Sequence, residues 1–214
     1  MTEKAKDPLT VFIVGRDTAM SNLFLNLGYN LELRDITKAD IVAFIGGADI
    51  SPNLYQQSTN PAAKVFVNFE NDKRDIEAWR LTKPQQLKVG ICRGGQFLNV
   101  MSGGKLYQHV SGHASPHVLY DALFNTEIPA ATSSHHQQMI PSSSGEILAY
   151  STKVGHIFLN ERQAVGPPEV EAEVVYYQDT NCLCYQGHPE WVSTVSTEGA
   201  YFKKLLDTFT KEAA

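Results

Sequence analysis

Leu87-Lys88-Val89-Gly90-Ile91-Cys92-Arg93-Gly94-Gly95-Gln96-Phe97-Leu98-Asn99-Val100 decides how this chain folds. It begins as an apolar run that reads as a buried strand. A cysteine then sits in a glycine-flanked turn, and Phe97, Leu98 and Met101 recur at helical spacing behind it. A sharp strand-to-helix turn crowds the backbone, so small residues must flank its apex, and Gly90 and Gly94 supply them. The layout is that of a nucleophile elbow with Cys in place of Ser. A helix starting just after Cys92 aims unpaired N–H groups and a positive dipole end at the sulfur, which favours the thiolate.

On the N-terminal side, Thr10–Val14 reads as a first buried strand. A helix capped by Asp17 or Ser21 follows, with Met20, Leu23, Phe24 and Leu27 on its apolar face and Gly28 at its end. Leu31–Leu33 is predicted as a short strand and Ile41–Ile45 as a fully apolar one that runs into Gly46-Gly47. Residues 56–63 read as loop, and a helix is predicted from about Asp72 to Leu81. Strand and helix thus alternate, the pattern of a parallel sheet covered on both faces. From Lys105 to Gln186 the pattern changes to short strands: Lys105–Val110, His117–Tyr120, Ala131–Ser134, Ile147–Ser151, His156–Leu159, Glu173–Tyr177 and Cys182–Gln186. A last helix, capped by Ser196 or Thr197, carries Phe202, Leu205, Leu206 and Phe209. The expectation is one α/β domain over residues 1–214. Its central sheet is mixed, mostly parallel, flanked by helices, with antiparallel strands in the second half.

The composition narrows the function. A chain of 214 residues with a formal charge of -5 and no run of Lys or Arg argues against nucleic acid or a lipid surface as main partner. No apolar run approaches the ~18 residues of a membrane span, and the polar start Met1–Asp7 has no apolar leader core. Three Cys give no disulfide framework, which predicts a reducing, cytoplasmic setting.

A Cys nucleophile needs a base and a group that orients the base. Gln186-Gly187-His188-Pro189-Glu190, just past an apolar strand, offers both: His188 to take the proton from Cys92, and Glu190 to fix the imidazole. An oxyanion hole needs backbone donors. The Arg93 amide is one, and the Gly46-Gly47 loop at the end of a neighbouring strand is placed to give the second. Read alone, His-Pro-Glu is a surface turn and Gly-Gly an ordinary loop; the elbow reverses those odds.

The chain resembles the class I glutamine amidotransferases, and within them the gamma-glutamyl hydrolase branch that includes the gamma-glutamyl-gamma-aminobutyrate hydrolases. The matching stretches are Gly46-Gly47-x-Asp49-x-x-Pro52-x-x-Tyr55, Arg74-Asp75, Gly90-Ile91-Cys92-Arg93-Gly94-x-Gln96-x-Leu98-Asn99, Gly103-Gly104-x-Leu106-x-Gln108, His135-His136-Gln137 and Gly187-His188-Pro189-Glu190, in the family's order. The resemblance implies a Cys92–His188–Glu190 triad and an oxyanion hole from the Gly47 and Arg93 amides. It implies substrate contacts from Gly46, Tyr55, Gln96 and the His135-His136-Gln137 segment, with Gln96 holding the alpha-amino acid end of a glutamyl group. The implied reaction is hydrolysis of a gamma-glutamyl C–N bond through a glutamyl thioester, with no cofactor. Glutamine would be cut to supply ammonia to a synthetase in trans, since this chain has no room for an ATP-using domain. The alternatives are a free-standing gamma-glutamyl hydrolase and a catalytically silent binding protein on the same fold. Two departures stand out: Gly187 replaces the family's usual aromatic, a smaller wall that would open the pocket or receive a partner's side chain, and Ala78 replaces a usual carboxylate, with Glu77 beside it.

No metal is assigned, with metal binding kept as a minor option. His109, His113 and His117 recur every four residues, but Gly112 and Pro116 break any helix there, so they read as loop histidines. Cys182 and Cys184 are expected to face opposite sides of their strand, and no His or Cys spacing completes a zinc set.

Overall fold

The computed structural model describes residues 7–211. The first residues, read above as lacking a leader core, fall outside that range apart from Asp7. Among the described residues, fourteen strands run in chain order: β1 Thr10–Val14, β2 Asn30–Leu31, β3 Ile41–Phe44, β4 Leu87–Ile91, β5 Lys105–Tyr107, β6 His109–Val110, β7 His117–Asp121, β8 Thr126–Ala131, β9 Gln138–Ile140, β10 Gly145–Ser151, β11 Phe158–Leu159, β12 Ala164–Val165, β13 Glu171–Tyr177 and β14 Cys182–Tyr185. The α-helices are α1 Thr18–Asn26, α2 Phe69–Leu81, α3 Arg93–Met101 and α4 Thr197–Lys211.

An 11-stranded mixed sheet has the order β2-β1-β3-β4-β14-β13-β10-β7-β8, with β9 and β5 attached through β13. Pairing is parallel from β2 through β14 and antiparallel beyond it. The β4 strand, buried along its whole length, lies between β3 and β14. Its alternate residues Leu87, Val89 and Ile91 pack with Phe24 of α1 and Phe202, Leu205 and Leu206 of α4. The opposite face packs Phe44, Phe97 and Leu98 with Cys182 and Cys184. The two cysteines therefore share a face, contrary to expectation, as residues two apart on a strand must.

Several boundaries move for local reasons. Asp17, not Ser21, caps α1 by accepting from Met20 N at 2.8 Å. The second helix begins at Phe69 because the Asn68 side chain accepts from the Glu70 and Asn71 amides. The short strand predicted at Leu31–Leu33 is Asn30–Leu31. The strand predicted at Lys105–Val110 splits at Gln108, whose buried amide is drawn to Asn60 N and Ser58 O; β5 joins β9, while β6 joins β11 and β12 in a separate sheet. The strand predicted at Ala131–Ser134 ends at Ala131, because Glu198 takes the Thr132 amide. Gly112 and Pro116 do prevent a helix, yet His113 and His117 are not solvated: His113 is fully buried and His117 opens β7. Among the described residues no helix is long and apolar enough to cross a membrane.

Candidate active site

Three adjacent parallel strands end level with one another, and each delivers one part of a site. Phe44 of β3 pairs with Gly90 of β4, and Ile91 of β4 with Tyr185 of β14. Beyond these ends come Gly46-Gly47, Cys92 and Gly187-His188-Pro189-Glu190. The carboxyl ends of parallel strands are where open α/β sheets place ligands.

Cys92 N donates to Tyr185 O at 2.7 Å, the last ladder bond before the chain turns. Cys92 itself has φ 51° and ψ −112°, a strained conformation for a residue with a side chain. Its neighbours pay for the turn with absent side chains: a Cβ on Gly94 would run into the Phe44 carbonyl, and one on Gly90 into the backbone of Gly94. The first intrahelical bond of α3 is Gln96 N to Cys92 O at 3.0 Å. The amides of Arg93, Gly94 and Gly95 precede it, so N–H groups without an intrahelical acceptor cluster at the cysteine.

His188 meets Cys92 beside Gly46. A Cβ on Gly46 would lie 3.4 Å from His188 Cε1 and 3.8 Å from Cys92 Cβ. The His188 Nδ1 atom is 2.7 Å from Glu190 Oε1, and the His188 amide donates to Thr132 Oγ1 at 2.8 Å. Burial works to lower the His188 pKa, but hydrogen bonds to Cys92 and Glu190 and the charges of both raise it to about 9. Trp191 lies flat on the imidazole, centroids 3.6 Å apart and planes within 1°, and is itself 58% exposed. A thiol, an imidazole and a carboxylate in this order, beside helix N–H donors, can carry out nucleophilic attack on a carbonyl.

The Arg93 side chain turns away from the turn and is buried between Asp72, at 2.6 Å, and Asp75. Arg74 adds a 2.8 Å contact to Asp75. These bonds fasten the elbow to α2 and give Arg74-Asp75 a structural reason. Burial raises the Asp72 pKa against the Arg93 charge that lowers it.

The remaining predicted residues divide into two groups. Gly47, with φ 149°, closes the loop beside Arg93 Cδ. His136 Nε2 reaches Asp49 at 3.0 Å, and that hydrogen bond raises its pKa. Tyr55 is buried near Asp49 and Asp72, with no hydrogen-bond partner for its hydroxyl, and burial pushes its pKa up. The second group points inward. Gln96 is buried, its amide nitrogen donating to Gln137 O at 3.0 Å and Gln186 Oε1 at 3.3 Å. Gln137 is buried with both side-chain polar atoms unpartnered. His135 is buried and points to Glu173 of β13, apart from its neighbour His136.

Gly187 does not open a wall. A Cβ there would sit 2.7 Å from Thr132 O and 3.1 Å from Glu198 Oε1, so neighbouring backbone and a carboxylate already fill the space. Sequence reading missed this segment's role and the stacking of Trp191. The available signal was an aromatic three residues beyond His188; the ion pairs of Arg93 had none beyond the Arg-Asp motif.

A family model for Peptidase C26 matches residues 32–190, more than half of the chain. The chain belongs to the Peptidase C26 family. YvdE of Lactococcus lactis, described as glutamine amidotransferase-like, is 29% identical over 189 residues, covering 81% of this chain and 74% of that protein. A relative from Mycobacterium tuberculosis, named as a glutamine amidotransferase, is 29% identical over 68% of this chain but only 48% of its own length. Among solved structures, a protein of Thermoplasma acidophilum named as part of a GMP synthase aligns over 98% of this chain and 96% of its own, with a TM-score of 0.63 at 14% identity. PurLQS of Thermotoga maritima aligns over 98% of this chain and 100% of the matched one, TM-score 0.58 at 14% identity. These likenesses place the C26 chain on the class I glutamine amidotransferase fold.

Proposed function

We propose that this C26 chain is a cysteine-dependent hydrolase of a gamma-glutamyl C–N bond, acting as a glutaminase for a synthetase in trans. The observation that carries the reading is the convergence of Cys92, His188 and Glu190 at the ends of neighbouring strands, with Cys92 at the N-cap of α3. Cys92 Sγ attacks the gamma-carbonyl and a C–S bond forms. The oxyanion is received by the Arg93 and Gly47 amides. His188 gives its proton to the leaving nitrogen as the C–N bond breaks, leaving a glutamyl thioester. Water, losing a proton to His188, then releases glutamate and frees the thiol. Glu190 holds the imidazole and Trp191 covers one of its faces. Gly46, Tyr55 and His136 border the glutamyl group, while Gln96, His135 and Gln137 support that wall from behind.

A second reading is a free-standing gamma-glutamyl hydrolase, favoured by the Peptidase C26 match itself. The synthetase reading draws on the amidotransferase names of the relatives and on the likeness to PurLQS. Steady-state glutamate release by the pure chain separates them. Slow turnover of glutamine, raised by a co-expressed synthetase, supports the amidotransferase. Turnover of a gamma-glutamyl amine at roughly 1–1000 per second with no partner, and poor use of glutamine, supports the hydrolase. No release from either substrate, with Cys92 inert to a glutamine-like electrophile, leaves only a silent binding protein and refutes both.

A further inference from the structure

Behind the candidate active site the fold gathers five side chains for which the proposed reaction has no chemical use: His113, His117, His135, Glu171 and Glu173. They come from the turn before β7, the first residue of β7, the segment between β8 and β9, and alternate positions of β13. All five side chains are at most 9% exposed. Three histidines surround one carboxylate: His113 Nδ1 is 3.3 Å and His117 Nε2 3.2 Å from Glu173 Oε1, and His135 Nε2 is 3.7 Å from Glu173 Oε2. The ligand atoms of His113, His135 and Glu173 all lie within 4.8 Å of one another.

We propose that this cluster is a buried structural site for a divalent transition metal of the zinc class, held by His113 Nδ1, His135 Nε2 and Glu173, with His117 Nε2 as fourth ligand.

His135 Nδ1 lies 2.9 Å from Gln137 O, and His117 Nδ1 lies 3.1 Å from Ser115 O. A carbonyl oxygen only accepts, so each Nδ1 carries the proton. In the neutral imidazoles the Nε2 lone pairs then face the Glu173 carboxylate, which also only accepts. Acceptor against acceptor in a buried space is repulsive unless a proton, as on His117 Nε2 at 3.2 Å from Glu173 Oε1, or a metal ion lies between them. His113 is held the other way round: its Nε2 is 2.5 Å from Glu171 Oε2, which turns Nδ1 toward Glu173. His113 Nδ1 and His135 Nε2 are both buried without a well-directed hydrogen-bond partner.

Metal-bound histidines hold their other nitrogen against a carboxylate or a backbone carbonyl. Each of the three histidines does so here, and Glu171 is itself fixed by the Val154 and Gly155 amides at 3.1 and 3.0 Å. Four ligands at about 2.0–2.1 Å around a tetrahedral ion stand roughly 3.3–3.4 Å apart, and the observed separations from Glu173 bracket that value. Three nitrogens and one carboxylate oxygen suit zinc and its neighbours rather than magnesium or calcium. With all four positions taken by protein, the site is closed and structural. It would tie β13 and β7 to the segment that begins with Thr132, whose hydroxyl holds the His188 amide.

The test is metal content of the untagged full chain, measured by elemental analysis and by Zn2+ titration after chelator dialysis. The expected result is one Zn2+ per folded chain. It is lost in Glu173→Gln and His135→Ala, weakened about 10–100-fold in Glu171→Gln, and unchanged in His109→Ala. Co2+ loading should give the intense visible absorption of a tetrahedral site. Wild-type chain that is folded by circular dichroism yet binds no more Zn2+ than Glu173→Gln overturns the proposal. So does metal retained in Glu173→Gln and lost in His109→Ala. If the cluster variants fail to fold, the wild-type melting midpoint decides: a rise with Zn2+ reversed by chelator supports the site, and a midpoint indifferent to both refutes it.

Discussion

Arg93→Met removes the cation that fastens the elbow to α2, and its cost can be worked out from the contacts. Arg93 is 1% exposed and reaches two buried carboxylates. Breaking a buried pair from one side costs about 3–5 kcal/mol, because a buried charge is left uncompensated. Here the burden falls unevenly. Asp75 keeps Arg74 at 2.8 Å, whereas Asp72 keeps only the Ser51 amide at 3.2 Å. The loss should therefore lie near the lower end, about 3 kcal/mol, or a fall of roughly 6–12 °C in melting midpoint for a chain of this size. The sign with pH follows from Asp72. Burial raises its pKa in the fold, so the folded state binds a proton more readily than the unfolded one. The deficit is largest at neutral pH and shrinks as pH falls through the Asp72 pKa. Adding Asp72→Asn to Arg93→Met should recover a large part of the loss at neutral pH, since no orphaned charge remains. Urea unfolding of the two variants and the wild type at neutral and acid pH is the assay. A single-variant loss below about 1 kcal/mol, or no recovery in the double variant, refutes the uncompensated-charge argument.

Three further outcomes are expected. A glutamine-like electrophile should label Cys92 stoichiometrically near neutral pH and spare Cys182 and Cys184, whose buried thiols have raised pKa values, Cys182 to about 11; mass mapping of the adduct to either of these would end the nucleophile assignment. His188→Ala should lose about as much activity as Cys92→Ala, with the double variant little worse than either and Glu190→Gln milder, because members of one catalytic unit do not add. His188 should titrate near 9 in the wild type and closer to its ordinary value in Cys92→Ala, which NMR of the ring protons reads. Since the folded pKa is raised, this group's stability contribution is complete below about 6.5 and is lost as pH climbs to about 9.

The local structure around the candidate site was legible in the sequence of this protein. Glycines at 90 and 94 flanking Cys92 demanded a tight turn, apolar runs at 41–45 and 87–91 demanded buried strands, and the run from Gln186 to Glu190 placed His188 and Glu190 just past another. Each is a short-range requirement, set by sterics within a few residues. What the sequence left open depended on which distant segments meet. Cys92 and His188 come together only because β4 and β14 pair in parallel and end level. The wall at Gly187 is closed by Thr132, a residue far away in the chain. His113, in a turn, and His117, on β7, meet His135 only because alternate positions of β13 present Glu171 and Glu173 to them. Spacing along the chain carries no record of such encounters, because buried charges and imidazoles choose partners by cross-strand register, and register is fixed by the packing of the whole sheet.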